Sequence, residues 1–186
     1  PIGRYLDVAA EDLEVVENGV PQRVELFHEA SQPLSLVLAL DASGSMKKRE
    51  AEVIESAGAF ISALRPEDAL AVALFSDRVS FAHDLSTNRD VSHAAIQKYQ
   101  VDGGTALFDA VSESLQRLRD ASGRRILVVM TDGRDENNAG TGPGSTRTLN
   151  DALKDLKASG TTVFTIGIGT KIDTSSLEQL ATLSGG

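Results

Sequence analysis

Cysteine is absent from all 186 residues. That excludes a disulfide framework and thiolate metal sites, and with them zinc-ribbon and iron–sulfur chemistry, while leaving the redox compartment open. No apolar run approaches the roughly 18 residues that a membrane-spanning helix needs, so direct membrane insertion of this segment is not expected. Basic residues are in the minority, 18 Lys and Arg against 27 Asp and Glu, which gives a formal net charge of -9. Nucleic acids and anionic membranes are bound through clustered Lys and Arg, so neither is an expected partner, and a cation suits this chain better than a polyanion. The sequence also lacks an initiator Met and a signal-peptide pattern, opening on Pro1 and closing on Ser184-Gly185-Gly186 just after a helix-like stretch. It is expected to be a piece of a longer protein, with any targeting signal outside it.

What is present is a globular composition, 41% hydrophobic, and a length that fits one domain plus a small appendage. The organising stretch is Leu34-Ser35-Leu36-Val37-Leu38-Ala39-Leu40 running into Asp41-Ala42-Ser43-Gly44-Ser45. A continuous apolar run predicts a strand buried on both faces, and a helical pattern begins at Met46, so the polar pentad sits on a strand-to-helix turn. One carboxylate and two hydroxyls at alternating positions are hard oxygen donors suited to Mg²⁺, Mn²⁺ or Ca²⁺, with Gly44 permitting the tight turn between the serines.

The same grammar repeats downstream. Ala51, Val53, Ile54, Ala57, Phe60, Ile61 and Leu64 mark one helix face, Ala69 to Phe75 a second strand, and Arg78 to Phe81 an antiparallel edge. A short helix over about residues 90–99 leads to Gly103-Gly104-Thr105, where the double glycine lets the loop carry Thr105 inward. Leu107, Ala110, Val111, Ser114, Leu115 and Leu118 form the next helix, and Arg124 to Met130 is an apolar strand delivering Thr131-Asp132-Gly133 at its end. The polar loop 134–146 is long enough to be mobile or to bind a partner. A helix with Leu149, Ala152, Leu153 and Leu156, a strand from Thr161 to Ile168 and a helix with Leu177, Leu180 and Leu183 complete the pattern. This alternation predicts an α/β fold: a doubly wound, Rossmann-like, mostly parallel sheet with one antiparallel edge strand and helices on both faces. Ahead of it, Asn18-Gly19 between the runs Leu13 to Glu17 and Arg23 to Phe27 predicts an N-terminal β-hairpin, with Pro21 implying an edge position.

Asp41, Ser43 and Ser45, then Gly104-Thr105, then Thr131-Asp132-Gly133, in that order and each at an element boundary, resemble a von Willebrand factor type A domain with its metal-ion-dependent adhesion site. The resemblance covers Pro33 to Gly186, giving two units, 1–32 and 33–186, and implies a further strand and closing helix after Gly186. It assigns Ser43, Ser45 and Thr105 as hydroxyl ligands of Mg²⁺ (or Mn²⁺ or Ca²⁺), with Asp41 and Asp132 holding the ion directly or through water. The partner it implies is a protein offering an Asp or Glu carboxylate to the ion. Gly44, Gly104, Asp109, Asp135 and Glu136 are secondary candidates, positioned to support the site or touch a partner. The segment around Glu11-Asp12-Leu13 and Glu17-Asn18-Gly19 resembles a group of bacterial, often acidobacterial, type A proteins, which implies the cell envelope or exterior.

Each donor has a plainer reading beside this one: Asp41, Ser43 and Thr105 as helix caps, Asp132-Gly133 as a turn, and His28, His83 and His93 as surface residues. The expected function is a non-enzymatic, metal-dependent protein-binding module. Two alternatives stand beside it: a structural scaffold with a stabilising metal, and a Mg²⁺-dependent phosphatase-like enzyme. The last would need an acid two residues after its nucleophile, where this chain has Ser43.

Overall fold

The structure, a computed structural model, describes residues 14–22, 32–169 and 172–186. The chain divides into two compact units, Pro1–Gln32 and Pro33–Gly186. In the first, β1 (Val15–Glu17) and β2 (Val20–Gln22) pair antiparallel about Asn18 and Gly19, both at positive φ (53° and 81°), the conformation that an Asn-Gly hairpin turn demands. The second strand therefore starts directly after the turn, at Val20 rather than Arg23, because a two-residue turn leaves no gap before pairing resumes. Arg23 to Phe27 lie outside the described residues.

The second unit is built on a five-stranded sheet of β3 (Leu34–Asp41), β4 (Ala69–Phe75), β5 (Val79–Ser86), β6 (Arg124–Thr131) and β7 (Thr162–Gly167). Their order is β5-β4-β3-β6-β7, with β5 antiparallel at one edge and every other pairing parallel. Between the strands run α1 (Glu50–Ala63), α2 (Arg89–Ile96), α3 (Leu107–Leu118) and α4 (Leu149–Ser159), and α5 (Thr174–Ser184) follows β7. Alternation along β3 sorts its side chains between two cores: Leu36, Leu38 and Leu40 meet α1 and α2, while Val37 and Ala39 meet α3 and its neighbours. That double coverage is why the central strands read as unbroken apolar runs.

Coverage thins toward β7. Phe164 and Ile166 are exposed on the α1 side, and β7 pairs with no second neighbour among the described residues. Ala51 and Leu183, expected on buried helix faces, are exposed. His83, expected in a loop, belongs to β5 and is half-buried.

One buried acid ties the amino end of β3 to the turn before β4. Asp68 accepts hydrogen bonds from the N–H of Leu34 (2.9 Å) and of Arg65 (3.0 Å) and pairs with the Arg65 guanidinium (3.0 Å). Burial pushes its carboxyl up, but these donors outweigh burial and hold it below the usual carboxylate range. A folded-state pKa below the unfolded one stabilises fully above the unfolded value, and that contribution is lost as pH falls through the folded one. Asp68→Asn is therefore expected to destabilise by about 2 kcal/mol at pH 7. In urea titrations across pH the difference should shrink below about pH 4; a pH-independent difference would contradict this account.

Candidate metal centre

The parallel strands all point their carboxyl ends at one edge, and β3 lies between β4, which follows it in sequence, and β6, which arrives later on its other side. A crevice opens where strand order reverses in this way. Asp41 ends β3 there, and Thr131 ends β6.

Asp41 is fully buried, and both of its carboxylate oxygens are engaged: Oδ1 accepts the Ser43 N–H at 2.9 Å and Oδ2 accepts the Thr131 hydroxyl at 2.6 Å. Burial pushes its carboxyl up, the bonds from Ser43 and Thr131 pull it down, and the nearby charge of Asp132 adds to the upward push. The Tyr99 hydroxyl donates to the Asp41 backbone carbonyl, and burial raises the Tyr99 pKa, keeping it a neutral donor. Each Asp41 carboxylate oxygen thus accepts one hydrogen bond from the fold and keeps a further lone pair.

Past Asp41 the backbone enters a 3-10 turn, Gly44–Arg49, before α1. Ser43 precedes that turn but makes no capping bond with its side chain; its hydroxyl lies 2.9 Å from that of Ser45. Ser43 is buried and Ser45 exposed, so the pair runs from the floor of the crevice to its mouth. Two backbone bonds sew the pentad to the glycine loop: Gly44 N–H to Gly103 C=O at 3.0 Å, and Asp102 N–H to Ala42 C=O at 2.9 Å.

Thr105 is held on its other side by a two-bond ladder with Glu136, N–H to C=O at 2.7 and 3.1 Å. Gly104 is required by close approach: a Cβ there would lie 2.6 Å from both the Asn138 nitrogen and the Glu136 oxygen. The cap position before α3 is held by Ala106, without a side-chain bond, so Thr105 is not a helix cap. Its hydroxyl bonds to no described residue, and the half-buried Asp132 carboxylate also lacks a hydrogen bond or ion pair among the described residues.

The secondary candidates separate by role. Gly44 and Gly104 belong to the backbone contacts just given. Asp109 and Asp135 fasten the loop 134–146, which was expected to be mobile or partner-binding: Asp135 accepts the N–H groups of Phe108, Gly144 and Ser145 and the Ser145 hydroxyl. Asp109 accepts the N–H of Thr146 (2.8 Å) and of Arg147 (3.0 Å), the Thr146 hydroxyl, and the Arg147 guanidinium. Glu136 contributes its backbone to Thr105.

Sequence reasoning missed Tyr99, Asp77 and the bond that Thr131 makes to Asp41. Asp77 accepts the Gly104 N–H at 2.8 Å from the loop after β4. Its signal was there to read, an acid immediately beyond a strand adjoining β3.

Among the described residues no three His, Cys, Asp or Glu side chains cluster as a metal site. Three hydroxyls and two carboxylates are a hard-oxygen set of the kind that Mg²⁺ accepts with several waters retained, so the residues fit such an ion.

A family model for the von Willebrand factor type A domain matches residues 35–185. The chain belongs to that family. An uncharacterized protein of Synechocystis sp., sll0103, is 30% identical over 159 residues, 83% of this chain and 36% of its own length. Among solved structures, a von Willebrand factor type A protein from Catenulispora acidiphila superposes with a TM-score of 0.71 at 21% identity, over 81% of this chain and 37% of that one. The von Willebrand factor domain of the type V pili tip protein Mfa5 from Porphyromonas gingivalis gives 0.67 at 13% identity, over 83% and 88%. The chain thus spans little more than a third of the first two relatives. Type A domains are often protein-interaction or adhesion modules and are generally non-enzymatic.

Proposed function

We propose that this type A domain binds a protein partner through a divalent cation held at the carboxyl edge of the sheet. Ser43, Ser45 and Thr105 would hold the ion with hydroxyl oxygens, and Asp41 and Asp132 directly or through water. Bound there, Mg²⁺ (or Mn²⁺ or Ca²⁺) would supply an electrophilic coordination position open to a partner's Asp or Glu carboxylate. Asp41, fixed by Ser43 and Thr131, orients the pentad, and the Gly44 and Glu136 contacts keep Thr105 beside it.

The observation that carries this reading is that, among the described residues, none bonds to the side-chain oxygens of Thr105 and Asp132, beside a buried Asp41. Caps and turns would use those oxygens; that no described residue does so here supports a ligand from outside the chain.

An envelope or extracellular setting belongs to the same proposal. Its supports are the pili tip protein among the structural neighbours and the likeness of the hairpin segment to bacterial, often acidobacterial, type A proteins.

Calorimetric titration of Mg²⁺ and Mn²⁺ into chelator-stripped protein tests the reading, with circular dichroism as fold control. Saturable binding is expected. Absence of binding by folded protein would move the proposal to a domain that meets its partner, or serves as a scaffold, without metal.

A further inference from the structure

A second cleft, between α3 and α4, has no part in the site above. Ser112 and Gln116 of α3, Arg119 just beyond it, Arg125 of β6, Arg147 and Asp155 of α4 are among the residues lining a cavity of about 470 Å³. Three guanidinium groups face one carboxylate, in a chain whose overall balance is acidic.

Two of the three are steadied by a single nitrogen. Arg125 donates Nη1 to the Arg119 carbonyl at 2.9 Å, and Arg147 donates Nη1 to Asp109 at 3.1 Å. Their remaining guanidinium donors make no bond to a described residue. The Arg119 side chain has no hydrogen bond or ion pair among the described residues, and Asp155 pairs with none of the three.

An independent observation concerns a neutral group. Ser112 is 4% exposed and its Oγ is buried without a hydrogen-bond partner, although a helical serine can return its hydroxyl to the preceding turn. Buried hydroxyls are normally satisfied, and of the buried Ser and Thr hydroxyls without a partner among the described residues, Ser92, Ser112, Ser114 and Thr161, it is Ser112 that lines this cleft.

We infer that this cleft binds a tetrahedral oxyanion, phosphate or a phosphate monoester. Arg119 and Arg125 would present planar donor forks that match phosphate oxygens, Arg147 would add charge, and the Ser112 hydroxyl would donate from the wall. The volume exceeds that of the ion alone and leaves room for a small organic group.

The test is titration of inorganic phosphate and, separately, glycerol 3-phosphate into the 186-residue chain at constant ionic strength, with and without Mg²⁺, followed by calorimetry and amide chemical shifts. Saturable, metal-independent binding that moves the Ser112 and Arg119 amides is expected. Arg119→Ala should weaken it about tenfold or more, Ser112→Ala should weaken it less, and Asp155→Asn should strengthen it. Tighter binding of the monoester would assign an organic phosphate as ligand, and equal binding the free ion. Because the Arg119 side chain makes no hydrogen bond or ion pair among the described residues, its variant is expected to fold like the parent. No saturable binding, unchanged affinity in both Arg119→Ala and Arg119→Glu, or binding that appears only with Mg²⁺ would overturn the inference.

Discussion

Asp41→Asn is expected to fold as the parent does and to bind Mg²⁺ at least about a hundredfold more weakly, a loss of about 2.7 kcal/mol. The amide is isosteric: its oxygen can accept the Ser43 N–H that Asp41 Oδ1 accepts now, and its nitrogen can donate to Thr131 where Oδ2 now receives a bond. What disappears is one of the two negative charges in the donor set, and hydroxyls supply little charge to replace it. Thr105 offers the complementary test, since its hydroxyl has no bond to a described residue. Thr105→Ser should keep the affinity and Thr105→Val should lose it. Thermal unfolding reports the same difference independently, because a ligand at a hundred times its Kd stabilises by about 2.7 kcal/mol. Mg²⁺ should raise the Tm of the parent and of Thr105→Ser but not of Asp41→Asn. Unaltered affinity in Asp41→Asn would remove that carboxylate from the site.

Asp109→Ala is expected to lower stability by about 3 kcal/mol, because it strips an acceptor from four donor groups at once. The N–H groups of Thr146 and Arg147, the Thr146 hydroxyl and the Arg147 guanidinium all lose their common partner, while the neighbouring bonds to Asp135 remain. For a domain of this size the change corresponds to a fall in Tm of about 6–12 °C. Burial pushes the Asp109 carboxyl up, but the bonds from Thr146 and Arg147 outweigh it and hold the group below its ordinary range. Its contribution is accordingly complete at neutral pH and lost as pH falls through the folded pKa. Hydrogen exchange gives a local readout: the amides of Thr146 and Arg147 should lose protection before those of β6. A loss under about 1 kcal/mol with unchanged exchange would mean that these bonds are not formed in solution.

The parallel strands could be read from sequence because both faces are covered, which imposes unbroken apolar runs on Leu34–Asp41, Ala69–Phe75 and Arg124–Thr131. The candidate donors could be read because oxygen ligands gather where such strands end. Hidden from that kind of reading were the contacts that join residues far apart in the chain. Tyr99 reaches Asp41 across 58 positions, and Asp109 reaches Thr146 across 37, and no local pattern encodes either. Helix periodicity named the right apolar faces but not where the sheet stops covering them, so Leu183 and Ala51 are exposed. The hairpin turn was legible from Asn18-Gly19, whereas the start of its second strand at Val20, ahead of the apolar run, was not.

The loop beside the candidate metal residues is fastened at its base and closed on itself at its tip. Glu136 pairs with Thr105 and Asp135 grips Gly144 and Ser145, while Asn137 accepts N–H bonds from Gly140 (2.8 Å) and Thr141 (3.0 Å) and donates its own N–H to Gly142 (2.9 Å). The tip bonds mainly to itself, and the base bonds to the domain. A foreign peptide spliced in between 138 and 141 would have its two ends presented at a fixed spacing by a support that does not depend on the splice. The loop is a mounting bracket, and the sequence it displays can be exchanged without disturbing what it is bolted to.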